Sequence, residues 1–342
     1  MARRPSNDTS SRPVSMADVA RAAGVSQQTV SRVANGLPNV NEQTRQRVQA
    51  AMQELGFRPS YAGRSLRDGR YHSVGLCIND VTKFGNLSMI DGIASAAREH
   101  NCAITLVEMS KTEEFSLAEA TRRMAALPVD GIIIGMSRMA PDFETFDPLP
   151  GIGTVIVTMY AHPRVTTVDS DHYGCSLLLM DHLFELGHEQ IRYIGGPSFS
   201  VDEQFRRAGW QDALERKHIE PAEPLEGDWS ANSGYEAGRY LAEHDHTMTA
   251  IYAANDQMAN GAIAALRDSG LRVPEDVSVV GVDDSLGDIV PDRRLTTVRF
   301  DNKRVGMWAV DKIAGADGGA SGVERMLIPG VLVEGDTVRD LR

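Results

Sequence analysis

Two hydrophobic rhythms run along the chain. The first occupies residues 14–58, where apolar positions recur at helical spacing in short pieces. "MADVARAA", residues 16–23, sets Val19, Ala20 and Ala23 on one face. Gly24 then supplies a residue able to take positive φ, and Ser26 is a suitable cap for "QQTVSRVAN", residues 27–35, in which Val30 and Val33 point inward before Gly36 closes the helix. Only "GVS" separates the two, which is the spacing of a helix-turn-helix. A third helix over about 42–55 turns Val48, Ala51, Met52 and Leu55 to one face and closes a small core. The second rhythm begins at Val74. "SVGLCIN", "AITLVEM", "DGIIIG" and "TVIVTM" read as buried parallel strands, with helices at 87–100 and 113–126 between them. A further series starts at Asp171: helix 172–186, strand "IRYIGG", helices 203–217 and 232–244, strand "AIYAAN", helix 257–269 and strand "VSVVGV". Two consecutive βα series predict an α/β body of two doubly wound parallel-sheet lobes. A ligand would sit beyond the carboxyl ends of the strands, in the cleft between the lobes.

Charge sharpens this division. Residues 1–70 hold 11 Arg, no Lys and 5 acidic residues, a net +6, which leaves −18 on the remainder of a chain whose net charge is −12. A basic head on an acidic body points to nucleic acid touched by the head alone. The N-terminal "MARRPSNDTSSRPVS" has charge but no apolar stretch after it, so a mobile tail is expected rather than a secretory signal. No run of about 18 apolar residues predicts a membrane span. Cys77, Cys102 and Cys175 are odd in number and set among apolar residues, which fits core packing in a reduced, cytoplasmic compartment and neither metal nor disulfide chemistry.

In a helix-turn-helix the N-terminal residues of the second helix point at base edges. Here those are Gln27 and Gln28, with Arg32 one turn on. Glutamine matches adenine's N6 and N7, and arginine matches guanine's O6 and N7. Ser26, Thr29, Ser31 and Asn35 are short polar groups suited to phosphates, contacts that position the helix without reading sequence. After Pro59, "SYAGRSLRDGR" offers under two turns of helix, unstable alone, and Gly63 costs it about 1 kcal/mol against Ala.

"VSMADVARAAGVSQQTVSRVANG" followed by "TRQRVQAAMQELGFRPS" closely resembles the DNA-binding head of the lactose repressor (LacI/GalR) family. "LGHEQIRYIGG", "EGDWSANSGY", "ANDQMANGAI", "SGLRVPEDVSVVGVDD" and "LTTVRFD" extend the resemblance to that family's sugar-binding core, which is itself similar to periplasmic sugar-binding proteins. The resemblance implies a homodimeric transcriptional repressor that binds a palindromic operator and is released by a small sugar inducer, with no cofactor. It implies a hinge that folds on the operator and inserts Leu66 into the minor groove, where an apolar wedge bends the duplex. It also implies effector contacts at Arg206 in "FRRAGW", Trp229 in "GDWS", Asn255 in "ANDQ" and Asp283 in "GVDD", with Asn79 on the opposite wall. That set suits a sugar: Trp offers a flat apolar face, and Asp, Asn and Arg form paired bonds to adjacent hydroxyls. "GDWS" makes a galactoside the first ligand to try. The first-strand loop "NDVTKFGNLSM" departs from the family's Asn-Pro-Phe-Phe pattern. A C-terminal leucine-heptad helix known in the family is absent after "VLV", so a dimer is expected rather than a tetramer.

The resulting organisation is a tail over 1–13, the head over 14–58, a hinge over 59–70 and a body over 71–342. The body divides into an N-lobe of 71–169 and 301–323 and a C-lobe of 170–300 and 324–342. An enzyme is not expected: there is no phosphate loop, no G-x-G-x-x-G after the first strand, no H-E-x-x-H and no nucleophile elbow. "HDH" at 244–246 reads as a solvated turn, and Asp283 and Asp284 alternate sides, which suits no acid–base pair. Two alternatives stay open. The body alone would support a sugar carrier without a DNA role, and a corepressed regulator would use the same architecture with a non-sugar effector.

Overall fold

Ser15 opens the first helix, α1 (Met16–Ala23), with a capping box: its Oγ accepts from the Asp18 amide at 3.3 Å while its own amide donates to the Asp18 carboxylate at 3.0 Å. The computed structural model describes residues 14–57, 69–109, 116–287, 294–314 and 322–342. The chain divides into two units, Met1–Tyr71 and His72–Arg342. The tail over 1–13 and most of the expected hinge, with Gly63 and Leu66, lie outside the described residues.

In the head, Gly24 takes φ 64° and turns the chain into α2 (Gln27–Ala34), where Ser26 Oγ accepts from the Thr29 amide at 3.1 Å. Asn41 caps α3 (Glu42–Glu54) in the same way. Val19, Val30 and Val48, one from each helix, are fully buried against Ala20, Ala23, Val33, Ala51 and Phe57. Each such valine is worth roughly 1.5–3 kcal/mol of burial. Eight-residue helices do not persist alone, so this shared core is what holds α1 and α2.

Among the described residues, the body contains two six-stranded sheets. The N-lobe sheet runs in the order β11 (Arg325–Ile328), β5 (Thr166–Ser170), β4 (Gly153–Val157), β3 (Gly131–Gly135), β1 (Ser73–Ile78), β2 (Ala103–Glu108), and every pairing is parallel. The C-lobe sheet runs β12 (Val331–Val333), β10 (Thr296–Arg299), β9 (Ser278–Val282), β8 (Ala250–Ala253), β6 (Ile191–Gly195), β7 (Leu225–Glu226), parallel except for antiparallel β12. Strand β3 explains why the sequence there is a continuous apolar run. Ile132 and Ile134 pack into one cluster with α5 (Leu117–Ala125), and Ile133 packs into the cluster on the opposite face with α4 (Phe84–Glu99) and α10 (Asn302–Ala314). Both faces are covered, so alternation disappears.

The C-lobe is completed by α6 (His172–Glu185), α7 (Val201–Arg216), α8 (Ala231–His244) and α9 (Asp256–Asp268) around Trp210, Tyr193 and Tyr252, all buried. The chain crosses between lobes three times: after β5, between β10 and α10, and between β11 and β12. The last crossing corrects the expected boundary at 323/324. Arg325–Ile328 pairs with β5 in the N-lobe and Val331–Val333 with β10 in the C-lobe, so the break falls at 329–330. Strand β5 itself was not expected as an element, because "TTVDS" is polar although buried. No helix among the described residues is long and apolar enough to cross a membrane.

Candidate functional site

Two surfaces carry the expected chemistry, one in each unit. In the head, Gln27, Gln28 and Arg32 are exposed on α2, and among the described residues none of their side chains has a hydrogen-bond partner. The short polar residues are engaged within the helix instead. Ser26 and Thr29 hydroxyls lie 3.0 Å apart, and the Asn35 amide donates to the Ser31 carbonyl and, at 3.3 Å, to its hydroxyl. The unspent donors on α2 are therefore those of the two glutamines and the arginine, the types that read base edges.

In the body, the strands of both sheets deliver polar residues at their carboxyl ends. Asn79 follows β1, half-buried on the N-lobe side. Arg206, Trp229, Asn255 and Asp283 converge in the C-lobe. Arg206, on α7, is 4% exposed and donates to the Ala254 carbonyl, to His172 Nδ1 from both Nε (3.3 Å) and Nη2 (3.2 Å), and to Asp283 Oδ1 at 3.4 Å. Its guanidinium also lies 5.4 Å from the Trp229 ring and 5.5 Å from Phe300. Burial opposes the Arg206 charge, yet the surrounding acidic groups, Asp283 foremost and Asp202 among them, together outweigh it and hold the pKa above its ordinary value. Burial likewise pushes the Asp283 carboxyl up, against the pull of Arg206.

Trp229 is half-buried, takes φ 73° and seats its indole against Gly196, where a Cβ would come within 2.2 Å of the ring. Asn255 holds this loop in place. Its Oδ1 caps α9 by accepting from the Met258 amide at 2.9 Å, and its Nδ2 donates to the Trp229 carbonyl at 3.0 Å. Asn255 thus spends an acceptor on the cap of α9 and a donor on positioning Trp229. Asp284, the other residue of "VDD", turns away from Asp283 to Arg299 at 3.5 Å.

Sequence reasoning missed four members of this network: His172, Asp169, Asp202 and Phe300. His172 is 5% exposed and packs edge-on against Phe300 at 4.9 Å. A guanidinium only donates, so Nδ1 must be an acceptor and the ring proton sits on Nε2. That atom faces Asp169 at 3.7 Å and Asp202 at 3.5 Å. These three residues lie close enough to hold a metal ion. A metal would need the Nε2 lone pair, however, and would leave the ring proton on Nδ1 against the Arg206 donors, so the arrangement fits a hydrogen-bonded relay better. Within "HDH", Asp245 pairs with Arg192, which, once its partial burial is overcome, holds its carboxyl down at about 2. Burial keeps the Cys77 thiol up at about 11 and Cys175 at about 12, consistent with inert core residues.

Helix α7 joins this cluster to the N-lobe. Val201, its first residue, is buried in the N-lobe cluster, its amide donates to the Ser137 carbonyl at 3.0 Å, and Tyr160 packs on Phe205 at 4.8 Å while its hydroxyl donates to Gln204 at 3.1 Å. The helix that aims Arg206 is therefore also the strut between lobes.

Residues 15–60 match the family model described as bacterial regulatory proteins, lacI family, and residues 180–338 match a periplasmic binding protein-like domain. The lactose operon repressor of Escherichia coli (strain K12) is 32% identical over 327 residues, which cover 95% of this chain and 91% of that one. The HTH-type transcriptional repressor PurR of Haemophilus influenzae (strain PittEE) is 30% identical over 95% of this chain and 98% of its own. Among solved structures, the lac repressor dimer bound to operator and the anti-inducer ONPF superposes with a TM-score of 0.83 at 31% identity, over 96% of this chain and all of that one. These relatives are transcription regulators and not enzymes. With that identity over nearly the full length of both chains, a helix-turn-helix head and a paired-lobe body, the chain belongs to the lacI family of bacterial regulatory proteins, DNA-binding transcriptional repressors.

Proposed function

We propose that the chain is a homodimeric repressor whose affinity for a palindromic operator is set by a small sugar bound between the lobes, against Trp229, Asp283, Arg206 and Asn79, with Asn255 holding the tryptophan loop. The observation that carries the reading is the half-exposed Trp229 ring beside the buried Arg206–Asp283 pair, an apolar face next to fixed hydrogen-bonding groups. The test is a thermal-shift panel of mono- and disaccharides, galactosides first, with purines and amino acids alongside. Stabilisation by a saccharide is expected. Stabilisation by purines or amino acids alone would favour the non-sugar corepressor reading, to which the similarity to PurR gives weight.

A ligand changes DNA affinity only by preferring one lobe arrangement. Because α7 packs on the N-lobe and aims Arg206 at the pocket, a ligand that moves Arg206 strains the Val201 and Tyr160 contacts. The sugar should act as an inducer: operator affinity is expected to fall by about 5- to 150-fold at saturation, a coupling of about 1–3 kcal/mol, and the same factor must appear in ligand affinity measured with and without operator. A rise in operator affinity would make it a corepressor.

In the head, Gln27, Gln28 and Arg32 are the proposed base readers, with Ser26, Thr29, Ser31 and Asn35 near phosphate, on half-sites about 10 base pairs apart between centres. Arg32→Ala should cost about 1–3 kcal/mol of operator binding and relax selectivity at one base position. A base-by-base operator scan that shows unaltered discrimination counts against that role.

A further inference from the structure

We propose that Asp202, with Asp283, gives the effector pocket an acceptor-only wall that admits an uncharged, hydroxyl-rich ligand and turns away its phosphorylated or carboxylated forms. The inference rests on the sugar reading above and narrows it to the non-anionic class.

The pocket's hydrogen-bonding capacity decides the matter. Arg206 is a buried cation, and four of its five N–H donors are already given to Ala254, His172 and Asp283. The remaining ring proton of His172 faces Asp169 and Asp202. Beyond the remaining Nη1 hydrogen of Arg206, which is 4% exposed, what the network leaves open to a ligand is carboxylate. The Asp202 side chain is 39% exposed, against 5% for Arg206, 7% for His172 and 12% for Asp283, so it is the member of the group that faces open space. An ionised carboxylate accepts and never donates. Hydroxyls satisfy it, whereas a second anion does not.

The surrounding charge agrees. Asp202 lies within electrostatic reach of Asp283, Asp169 and Arg206, and its negative charge helps to raise all three pKa values. Of the N-lobe cations, Lys83 is within reach of Asp228, whose carboxyl is held below its ordinary range first by hydrogen bonds from Ser230, and Arg138, bridged to Ser200, lays its guanidinium over the Phe199 ring at 3.9 Å. The N-terminus of α7, a feature that elsewhere attracts phosphate, already carries two carboxylates in its first turn, Asp202 and Glu203, and Glu203 takes the Gly196 amide at 2.7 Å. A phosphate ester would bring about −1.5 to −2 charges into this field.

Calorimetric titration of the full chain tests this, using the saccharide that gives the largest thermal shift and its phosphate ester, with galacturonate as the carboxylate probe. The neutral sugar should bind about 10- to 100-fold more tightly than either anion, the scale of a like-charge juxtaposition. Asp202→Asn should narrow that ratio by about tenfold, mainly by improving binding of the anions. Asp202→Ser, a side chain well suited to a first helical turn, gives a second measurement, and the urea midpoint of both variants shows that they are folded. An ester that binds the natural protein as tightly as its parent sugar overturns the proposal and leaves the sugar reading standing. A ratio that neither variant moves removes Asp202 from the role. If no saccharide binds at all, it is the sugar reading that has failed, and this inference falls with it.

Discussion

Replacing Arg206 with methionine should destabilise the body by about 3–5 kcal/mol, a loss readable as a fall in the urea midpoint at pH 7.5. Arg206 is 4% exposed, so methionine fills the space of its stem but leaves the Asp283 carboxylate, His172 Nδ1 and the Ala254 carbonyl without their donor. The charge is the costly part, because burial already pushes the Asp283 carboxyl up and Arg206 is what opposes that push. Two consequences separate this account from plain loss of packing. The penalty should shrink as pH falls, because an unpaired Asp283 is relieved by taking up a proton. The double variant Arg206→Met, Asp283→Asn should recover at least about half of the loss, since it removes both charges together. Equal unfolding of the single and double variants across pH 5.5–7.5 would show that the ion pair is not what Arg206 contributes. Both variants should lose ligand affinity, so stability and binding must be measured separately.

The rhythm of apolar residues made most of this architecture legible. Val19, Val30 and Val48 sit where helical spacing placed them, and the isoleucine run of β3 is continuous because helices cover both faces. Periodicity was silent where polar residues are buried. "TTVDS" carries Thr167, Asp169 and Ser170 inward because it ends at the first lobe crossing, beside the pocket. It was silent, too, about sheet membership: "RMLI" and "VLV" are short neighbouring apolar stretches separated by Pro329 and Gly330, and only long-range pairing sends one to β5 and the other to β10. In the pocket, Arg206, Trp229, Asn255 and Asp283 were found through resemblance and do come together. His172 and Asp202 were not, because nothing local distinguishes a histidine after a strand or an aspartate in a first helical turn. Their significance arises when α7 brings Arg206 against His172 across 34 positions of sequence.

The second large effect concerns Asp256 and has a defined sign. Asp256 is 1% exposed and holds the strand-end loop that carries Asp283: its Oδ2 accepts from the Ser285 amide at 2.7 Å and its Oδ1 from the Thr297 hydroxyl at 2.7 Å. The loop needs holding, since Asp283 and Asp284 take φ of 110° and 51°, a region that side chains other than glycine enter at a cost. Burial, reinforced by the nearby Asp283 charge, raises the Asp256 carboxyl from 3.8 to about 7. The native chain therefore binds a proton that the unfolded chain releases over that interval. The contribution of Asp256 to stability is complete below about pH 4 and is lost as pH rises through about 7, at up to about 1.4 kcal/mol per pH unit. Asp169, Glu203 and Asp283 are also raised by burial and act in the same direction, while buried His188, whose pKa burial lowers, acts oppositely and costs stability as pH falls. Those groups are common to the natural chain and Asp256→Asn, so the difference between the two isolates Asp256. Urea unfolding of both at pH 5, 6, 7 and 8 should show the natural chain losing about 2–3 kcal/mol relative to the variant across the series. The asparagine keeps one acceptor for the Ser285 amide, and the Thr297 hydroxyl can turn to accept from its amide, so the loop should stay in place. Parallel pH profiles would mean that Asp256 ionises in the folded chain as readily as in the unfolded one. The loop under Asp283 would then be held by a charged carboxylate at every physiological pH.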